Sequence, residues 1–133
     1  MDDIIIDTHI SIWYFSDPKQ ISKQAEAAID QAEAVGTIYI SSITIVELIY
    51  LIEKGKIPQS VLTLLREAFD DPQTAFQLIG LSREISDEVE NIPRSTVSDM
   101  PDRIIAATAL HLNLPLVTRD EKICRLPMIQ TVW

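Results

Sequence analysis

The sequence has few cysteines, few glycines and few basic residues, and each shortage excludes a class of protein. A single cysteine, Cys124, among 133 residues excludes an internal disulfide and a zinc site built on cysteines. Only three glycines are present, with no internal repeat or low-complexity tract, so no flexible linker is indicated. No apolar run approaches the ~20 residues of a membrane span, and the acidic N-terminus is unlike a signal peptide. We expect one soluble domain over residues 1–133, in the reducing cytoplasm.

Basic charge is scarce. Lys and Arg total 11 against 20 Asp and Glu, which gives a formal net charge of −9. This balance disfavours loose, sequence-independent binding to nucleic acid, which depends on basic surface. It does not exclude a nucleic-acid enzyme whose acidic site is balanced by bound cations. Apolar residues make up 47% of the chain and charged residues 23%, a composition typical of a folded globular domain.

Apolar runs that alternate with helical patterns indicate an α/β fold. The pattern predicts strands over residues 4–6, 37–40, 76–81, 114–118 and 129–133. It predicts helices over residues 21–35, 43–54, 58–69, 82–91 and 99–112. Alternation of this kind is typical of a three-layer α/β/α sandwich around a central parallel sheet, here of about five strands. Ligands of such folds bind beyond the carboxyl ends of the strands.

Four carboxylates fall at that edge of the predicted sheet. Asp7 directly follows the first strand, and Asp120 follows the fourth by two residues. Glu47 lies in the second turn of the helix after the second strand, and Asp102 in the first turn of the helix before the fourth. The topology therefore predicts that the four side chains approach one another.

Each carboxylate also has a structural interpretation. Asp7 could form an Asx-turn, and Asp120 could cap a short helix that begins at residue 121. Asp99 is a plausible N-cap, with Asp102 completing a capping box. The helix around Glu47 is apolar nearly all round, so we expect it to be buried, and a buried Glu47 needs a cation, several donors, or an Arg or Lys partner.

The four carboxylates together favour a metal site. Two unit charges 4 Å apart repel by about 4 kcal/mol at an effective dielectric constant near 20. Converging carboxylates without a basic partner would destabilise the fold, raise their own pKa values or recruit a divalent cation. Oxygen-only ligands suit Mg²⁺ or Mn²⁺ rather than zinc. Such an ion is suited to phosphodiester cleavage, because it activates water and stabilises negative charge on the transferring phosphate.

Four sequence blocks resemble the acidic blocks of the PIN domain. They are residues 4–9 (IIIDTH), 41–48 (SSITIVEL), 102–109 (DRIIAATA) and 116–120 (LVTRD). The order and spacing of the blocks agree over nearly the whole chain. The chain is most similar to the VapC-type toxin ribonucleases, in particular to those with an Asp-x-x-Asp-Arg block, which here begins at Asp99.

The resemblance implies a Mg²⁺- or Mn²⁺-dependent endoribonuclease with an α/β/α fold. Asp7, Glu47, Asp102 and Asp120 match the acidic quartet that performs catalysis and holds the metal. Thr118 matches a hydroxyl residue that supports the site, and Asp99 is a possible additional acid. The resemblance also implies an RNA substrate, a small antitoxin partner and a homodimer, with no membrane association.

Other interpretations remain to be weighed. The alternative function is a PIN-like module that binds RNA or protein without cleaving it. A receiver domain would need an acidic pair just after the first strand, but Asp2 and Asp3 precede that strand. A haloacid-dehalogenase-type phosphatase would need a second Asp at the position of His9. Both alternatives fail on these residues. His9 is more typical of a structural or surface residue than of a catalytic one. The aromatic run of residues 13–15 could stack a base, although core or protein contacts are more typical.

Overall fold

The computed structural model describes residues 2–133 and contains a five-stranded, all-parallel sheet. The strands are β1 (Ile4–Ile6), β2 (Ile38–Ser41), β3 (Phe76–Ile79), β4 (Leu116–Val117) and β5 (Thr131–Val132). Their order across the sheet is β3-β2-β1-β4-β5. The predicted parallel sheet is therefore confirmed, with β1 at its centre.

Helices cover both faces of the sheet. They are α1 (Thr8–Ser16), α2 (Lys23–Val35), α3 (Ser42–Glu53), α4 (Gln59–Asp70), α5 (Arg83–Glu88), α6 (Met100–Leu112) and α7 (Glu121–Cys124). Short 3₁₀ turns cover Pro18–Gln20 and Val89–Asn91. Within residues 2–133, none of these helices has both the length and the apolar character needed to cross a lipid bilayer.

Two hydrophobic clusters divide the core between the faces of the sheet. Ile4 and Ile6 of β1 pack in one cluster with residues of α1 to α4. Ile5 points the other way and packs in the second cluster with residues of α5 to α7. Successive side chains of a strand alternate between its two faces, so an unbroken isoleucine run fits a strand that is buried on both. The three-layer α/β/α arrangement is confirmed.

Helix α1 is missing from the elements that the sequence predicts. Its residues, THISIWYFS, are largely β-branched or aromatic, and such residues have modest helix propensity. The segment also lacks a polar face, so it shows no amphipathic periodicity. The helix forms because Asp7 caps its N-terminus and because Thr8, Ile10, Ser11 and Ile12 are buried. Tertiary packing here outweighs local preference.

Helix α3 is less buried than its apolar sequence suggests. Only Thr44 and Leu48 are buried, whereas 46% of Val46 and 60% of Tyr50 remain exposed. The expectation of a buried helix is therefore wrong for one of its faces. Among the described residues no further layer covers that face, which lines a groove described below.

Candidate active site

The four predicted carboxylates lie at the carboxyl edge of the sheet. Asp7 follows β1, and Asp120 follows β4, the neighbour of β1 on one side. Glu47 is presented by α3, which begins where β2 ends on the other side of β1. Asp102 lies in the first turn of α6. The central position of β1 puts Asp7 between the elements that carry the other acids.

Asp7 is held by hydrogen bonds while almost completely buried. Its carboxylate accepts the backbone N–H of Ile10 at 2.9 Å and so caps α1. The hydroxyl of Thr118, which is fully buried, donates to the second oxygen of Asp7. Thr118 also accepts the backbone N–H of Asp120 at 3.0 Å. Burial raises the pKa of Asp7, and the hydrogen bonds from Thr118 and Ile10 act in the opposite direction.

Two further acids act as helix caps, as the structural interpretation expects. One oxygen of Asp120 accepts the backbone N–H groups of Lys122 and Ile123, at 2.8 and 3.1 Å. Asp99 accepts the backbone N–H of Asp102 at 3.2 Å. Among the described residues, the return bond of a capping box, from the Asp102 side chain to the Asp99 backbone, is not formed. Capping and ligand binding are compatible, because the cap bonds of Asp120 use a single carboxylate oxygen.

Glu47 is held by the hydroxyl of Thr8 rather than by a basic side chain. Thr8 donates to Glu47 Oε1 at 2.5 Å, and the hydroxyl oxygens of Thr8 and Thr44 are 3.0 Å apart. Within residues 2–133, the contacts between acidic side chains and Arg, Lys or His are an Arg83–Asp87 ion pair and a His111–Glu88 contact, neither of which involves Glu47. An Arg or Lys partner for Glu47 is therefore not observed. Burial raises the pKa of Glu47, and the negative charge of Asp99 raises it further.

The pKa of Asp102 shows most clearly the effect of the neighbouring negative charges. Burial is the main cause that raises its pKa to about 7, and the charges of Asp99, Asp120, Glu47 and Asp7 act in the same direction. The neighbouring acids are thus close enough to disfavour the ionisation of Asp102. Within residues 2–133, no three His, Cys, Asp or Glu side chains converge to coordination distance.

An acidic cavity and an apolar groove flank these carboxylates. The acidic cavity has a volume of about 340 Å³, and its walls include Asp99, Asp102, Asp120, Lys122 and Arg125. The apolar groove has a volume of about 410 Å³ and lies on the α3 side. It is lined by Thr8, His9, Ile43, Val46, Glu47, Tyr50, Leu51, Lys54, Met100 and Pro101. Glu47 therefore lies at the boundary between apolar surface and the acidic cluster.

Sequence reasoning missed three residues that shape the site. Thr8 donates to Glu47, and Thr44 forms a hydrogen bond with the hydroxyl of Thr8. The sequence signal for these two residues is a hydroxyl next to Asp7 and another one turn before Glu47. Arg103 follows Asp102 but donates to the backbone carbonyls of Val89 and Ile92, both at 2.9 Å. Its guanidinium thus fastens the segment before α6 to that helix.

We expect Thr118→Val to lower the melting temperature. Valine has a similar shape but leaves a buried oxygen of Asp7 and the N–H of Asp120 without their shared partner. Unsatisfied buried groups cost about 1–3 kcal/mol. Thr108→Val is the matched control, because Thr108 is equally buried and its hydroxyl bonds only to the carbonyl of Ile104, at 2.7 Å, within α6. Equal losses of stability in the two variants, measured by thermal unfolding, would contradict a specific linking role for Thr118.

Comparison with known proteins agrees with this architecture. The chain is 28% identical over 137 aligned positions to Ribonuclease VapC22 of Mycobacterium tuberculosis (strain ATCC 25618 / H37Rv), and the alignment covers 100% of both chains. It is similar to the crystal structure of VapBC2 from Rickettsia felis bound to a promoter DNA fragment, with a TM-score of 0.73, 21% identity, and coverage of 97% of this chain and 96% of the other. It is also similar to a toxin-antitoxin complex from Klebsiella pneumoniae, with a TM-score of 0.65, 25% identity, and coverage of 95% and 94%. The PIN domain matches residues 4–128, and the chain belongs to the PIN domain family.

Proposed function

We propose that this protein is a divalent-metal-dependent endoribonuclease and the toxin of a toxin–antitoxin pair. The observation that carries the proposal is the set of interacting carboxylates at the sheet edge, none of which has a basic ion-pair partner among the described residues. The similarity to a protein named a ribonuclease and to toxin–antitoxin complexes supports the same conclusion.

The residues at this edge fit Mg²⁺ or Mn²⁺. Asp7, Glu47, Asp102 and Asp120 offer only oxygen ligands, which these hard cations prefer. Burial, followed by the charges of Asp99, Asp120, Glu47 and Asp7, raises the pKa of Asp102 to about 7, and a bound cation would relieve the repulsion among these charges. We assign the metal ligands to these four acids, with Asp99 as an additional acid at the cavity wall.

The protein's own groups position this chemistry. A bound divalent ion would lower the pKa of an attacking water and stabilise negative charge on the phosphate. Asp7 presents its carboxylate in a fixed orientation, because Ile10 and Thr118 each hold one of its oxygens. Thr8 orients Glu47 in the same way. Buried hydroxyl donors therefore pre-organise two of the acids without neutralising them.

Cleavage of single-stranded RNA by the purified protein is expected to require Mg²⁺ or Mn²⁺ and to stop in EDTA. The expected loss is essentially complete, because the four acids cannot themselves lower the pKa of water. Activity should return when Mg²⁺ is added in excess over EDTA. An Asp7→Asn preparation purified in parallel controls for contaminating ribonuclease. Robust cleavage in EDTA would contradict the metal mechanism. Binding of RNA without cleavage under all conditions would favour the alternative, a non-catalytic PIN-like module.

We also propose a small antitoxin as partner, with the apolar groove as its docking surface. Val46, Tyr50 and Met100 are 46%, 60% and 64% exposed there, and exposed apolar patches mark protein interfaces. A segment that combined apolar side chains with a basic one would fill this groove and neutralise the acids beside it. We propose a homodimer as well. Co-purification with the product of the neighbouring reading frame and light scattering test these assemblies.

A further inference from the structure

The aromatic run at the end of α1 is divided between two environments. Tyr14 and Phe15 pack against Phe76, with ring centroids 5.2 and 5.5 Å apart, and belong to the core. Trp13 also packs against the core, but its ring meets His9, one turn earlier on α1, with centroids 6.0 Å apart. Of the three aromatic residues, Trp13 is therefore the one whose ring lies near Asp7 and Asp120.

Trp13 forms a second contact with residues that leave the sheet at the ends of β4 and β5. Val117 pairs with Val132, and the N–H of Thr118 donates to the carbonyl of Val132 at 3.1 Å. Arg119 and Trp133 consequently emerge side by side. The Trp13 and Trp133 centroids are 6.0 Å apart, and Arg119 Cζ lies 5.9 Å from each of them.

These side chains border a second cavity, which meets the apolar groove at His9. The cavity has a volume of about 240 Å³ and is lined by Asp7, His9, Trp13, Arg119 and Asp120. We call it the Trp13 cavity. It is smaller than the roughly 300–1,000 Å³ of sites for drug-sized ligands, so it suits one planar group rather than a larger molecule. Its lining combines two proposed metal ligands with an indole and a guanidinium.

We infer that the Trp13 cavity binds one unpaired base of the RNA beside the bond that is cleaved, an inference that rests on the proposed function. Unpaired RNA bases are recognised by stacking on aromatic rings and on arginine planes. A neutral base is not repelled by Asp7 and Asp120, as a free anion would be. Arg119 adds a positive charge that attracts the backbone phosphate of the same nucleotide. Among residues 2–133, its guanidinium forms no ion pair.

Both tryptophans of the chain lie at this place, so indole fluorescence reports on it directly. In a Trp133→Phe background, Trp13 is the sole tryptophan. We expect an eight-nucleotide oligoadenylate RNA, mixed with Mg²⁺ and read by stopped flow before turnover, to quench its emission. An abasic oligomer of equal length and charge should not. Arg119→Gln should raise the apparent Kd about 10-fold, whereas Arg83→Gln, at an exposed arginine far from the cavity, should leave it unchanged.

Steady-state cleavage provides the second readout. Trp13→Leu should lower kcat/KM about 10- to 100-fold, mainly through KM, because one base loses its stacking partner. Trp13→Phe should retain most activity, since phenylalanine preserves the stacking face and the core packing. Cleavage by the wild type without quenching, or equal quenching by the abasic oligomer, would overturn the base-binding role and leave the nuclease function standing. Quenching by RNA without cleavage would overturn the nuclease function and leave the base-binding role standing.

Discussion

The Asp7→Asn variant is expected to fold normally and to lose RNA cleavage by a factor on the order of 10³ or more. Asparagine caps helices as well as aspartate does, so the bond from the Ile10 N–H that begins α1 can be kept. Burial raises the pKa of Asp7, which favours a neutral group at this position. The amide nitrogen would face Thr118 and cannot accept its hydroxyl proton, so some stability is lost although the fold is kept. The amide cannot supply the negative charge that holds a divalent cation.

The matched control is Asp70→Asn, which removes one negative charge from an exposed residue at the end of α4. This variant should retain wild-type activity, which would show that the loss does not come from net charge alone. Circular dichroism and thermal unfolding should show that both variants are folded. Full cleavage by Asp7→Asn at saturating Mg²⁺ would remove Asp7 from the site.

The second large effect is expected from Asp102→Asn, which should abolish cleavage yet raise the melting temperature in EDTA near neutral pH. Like charges and burial penalise the ionised form of Asp102, and the amide removes that penalty. The gain should be about 1–3 kcal/mol, because the partly exposed side chain is also screened by solvent. This corresponds to roughly 4 °C per kcal/mol for a chain of this size. Glu47→Gln should also abolish cleavage and raise the melting temperature. Its gain in stability should be smaller where the bond from Thr8 is weakened by the amide.

The pH dependence of this gain follows from the direction of the shift. The pKa of Asp102 is about 7 in the folded protein against 3.8 in its ordinary state, so the folded state binds more protons between these values. Wild-type stability must then fall as pH rises through that interval. The advantage of Asp102→Asn should be complete above pH 7 and should shrink as pH drops toward 5.

Added Mg²⁺ should reduce the advantage in melting temperature that Asp102→Asn has over wild type. Mg²⁺ stabilises whichever folded state binds it, by mass action, so it should raise the melting temperature of wild type more than that of Asp102→Asn. Variants of Asp102 and Glu47 that both melt below wild type in EDTA at every pH would contradict the proposal. The carboxylates would then have stabilising partners, and the metal-site interpretation would lose its main physical support.

The placement of the acids was predictable because it depends on strand order and direction more than on local detail. The Ile4–Ile6 run identifies a strand buried on both faces, and Asp7 must then stand at its carboxyl end. Asp120 likewise follows a second predicted apolar strand, residues 114–118, by two residues. The predicted helix starts near Ser42 and Met100 bring Glu47 and Asp102 to the same edge.

Features that depend on tertiary contact were not predictable. Helix α1 has no amphipathic signal, so its existence follows only from its burial against the sheet. The bond from Thr8 to Glu47 joins residues 39 positions apart and depends on that unpredicted helix. The exposure of Tyr50 was missed because an apolar sequence does not reveal whether another layer covers it. The juxtaposition of Arg119 and Trp133 likewise requires the register between β4 and β5.

Thr8 and Thr118 orient their carboxylates with uncharged donors, which has a consequence for the response to salt. A lysine or arginine in their place would fix the acids but cancel their charge, and added salt would then weaken the attachment. With hydroxyl donors the attachment is insensitive to ionic strength, while the repulsion among the acids is screened as the Debye length falls from ≈ 10 Å at 0.1 M to 3 Å at 1 M. The metal-free protein should therefore become more stable in concentrated NaCl. The same salt should weaken the affinity of the four acids for a divalent cation. Ionic strength therefore shifts the equilibrium between the metal-free and the metal-bound protein.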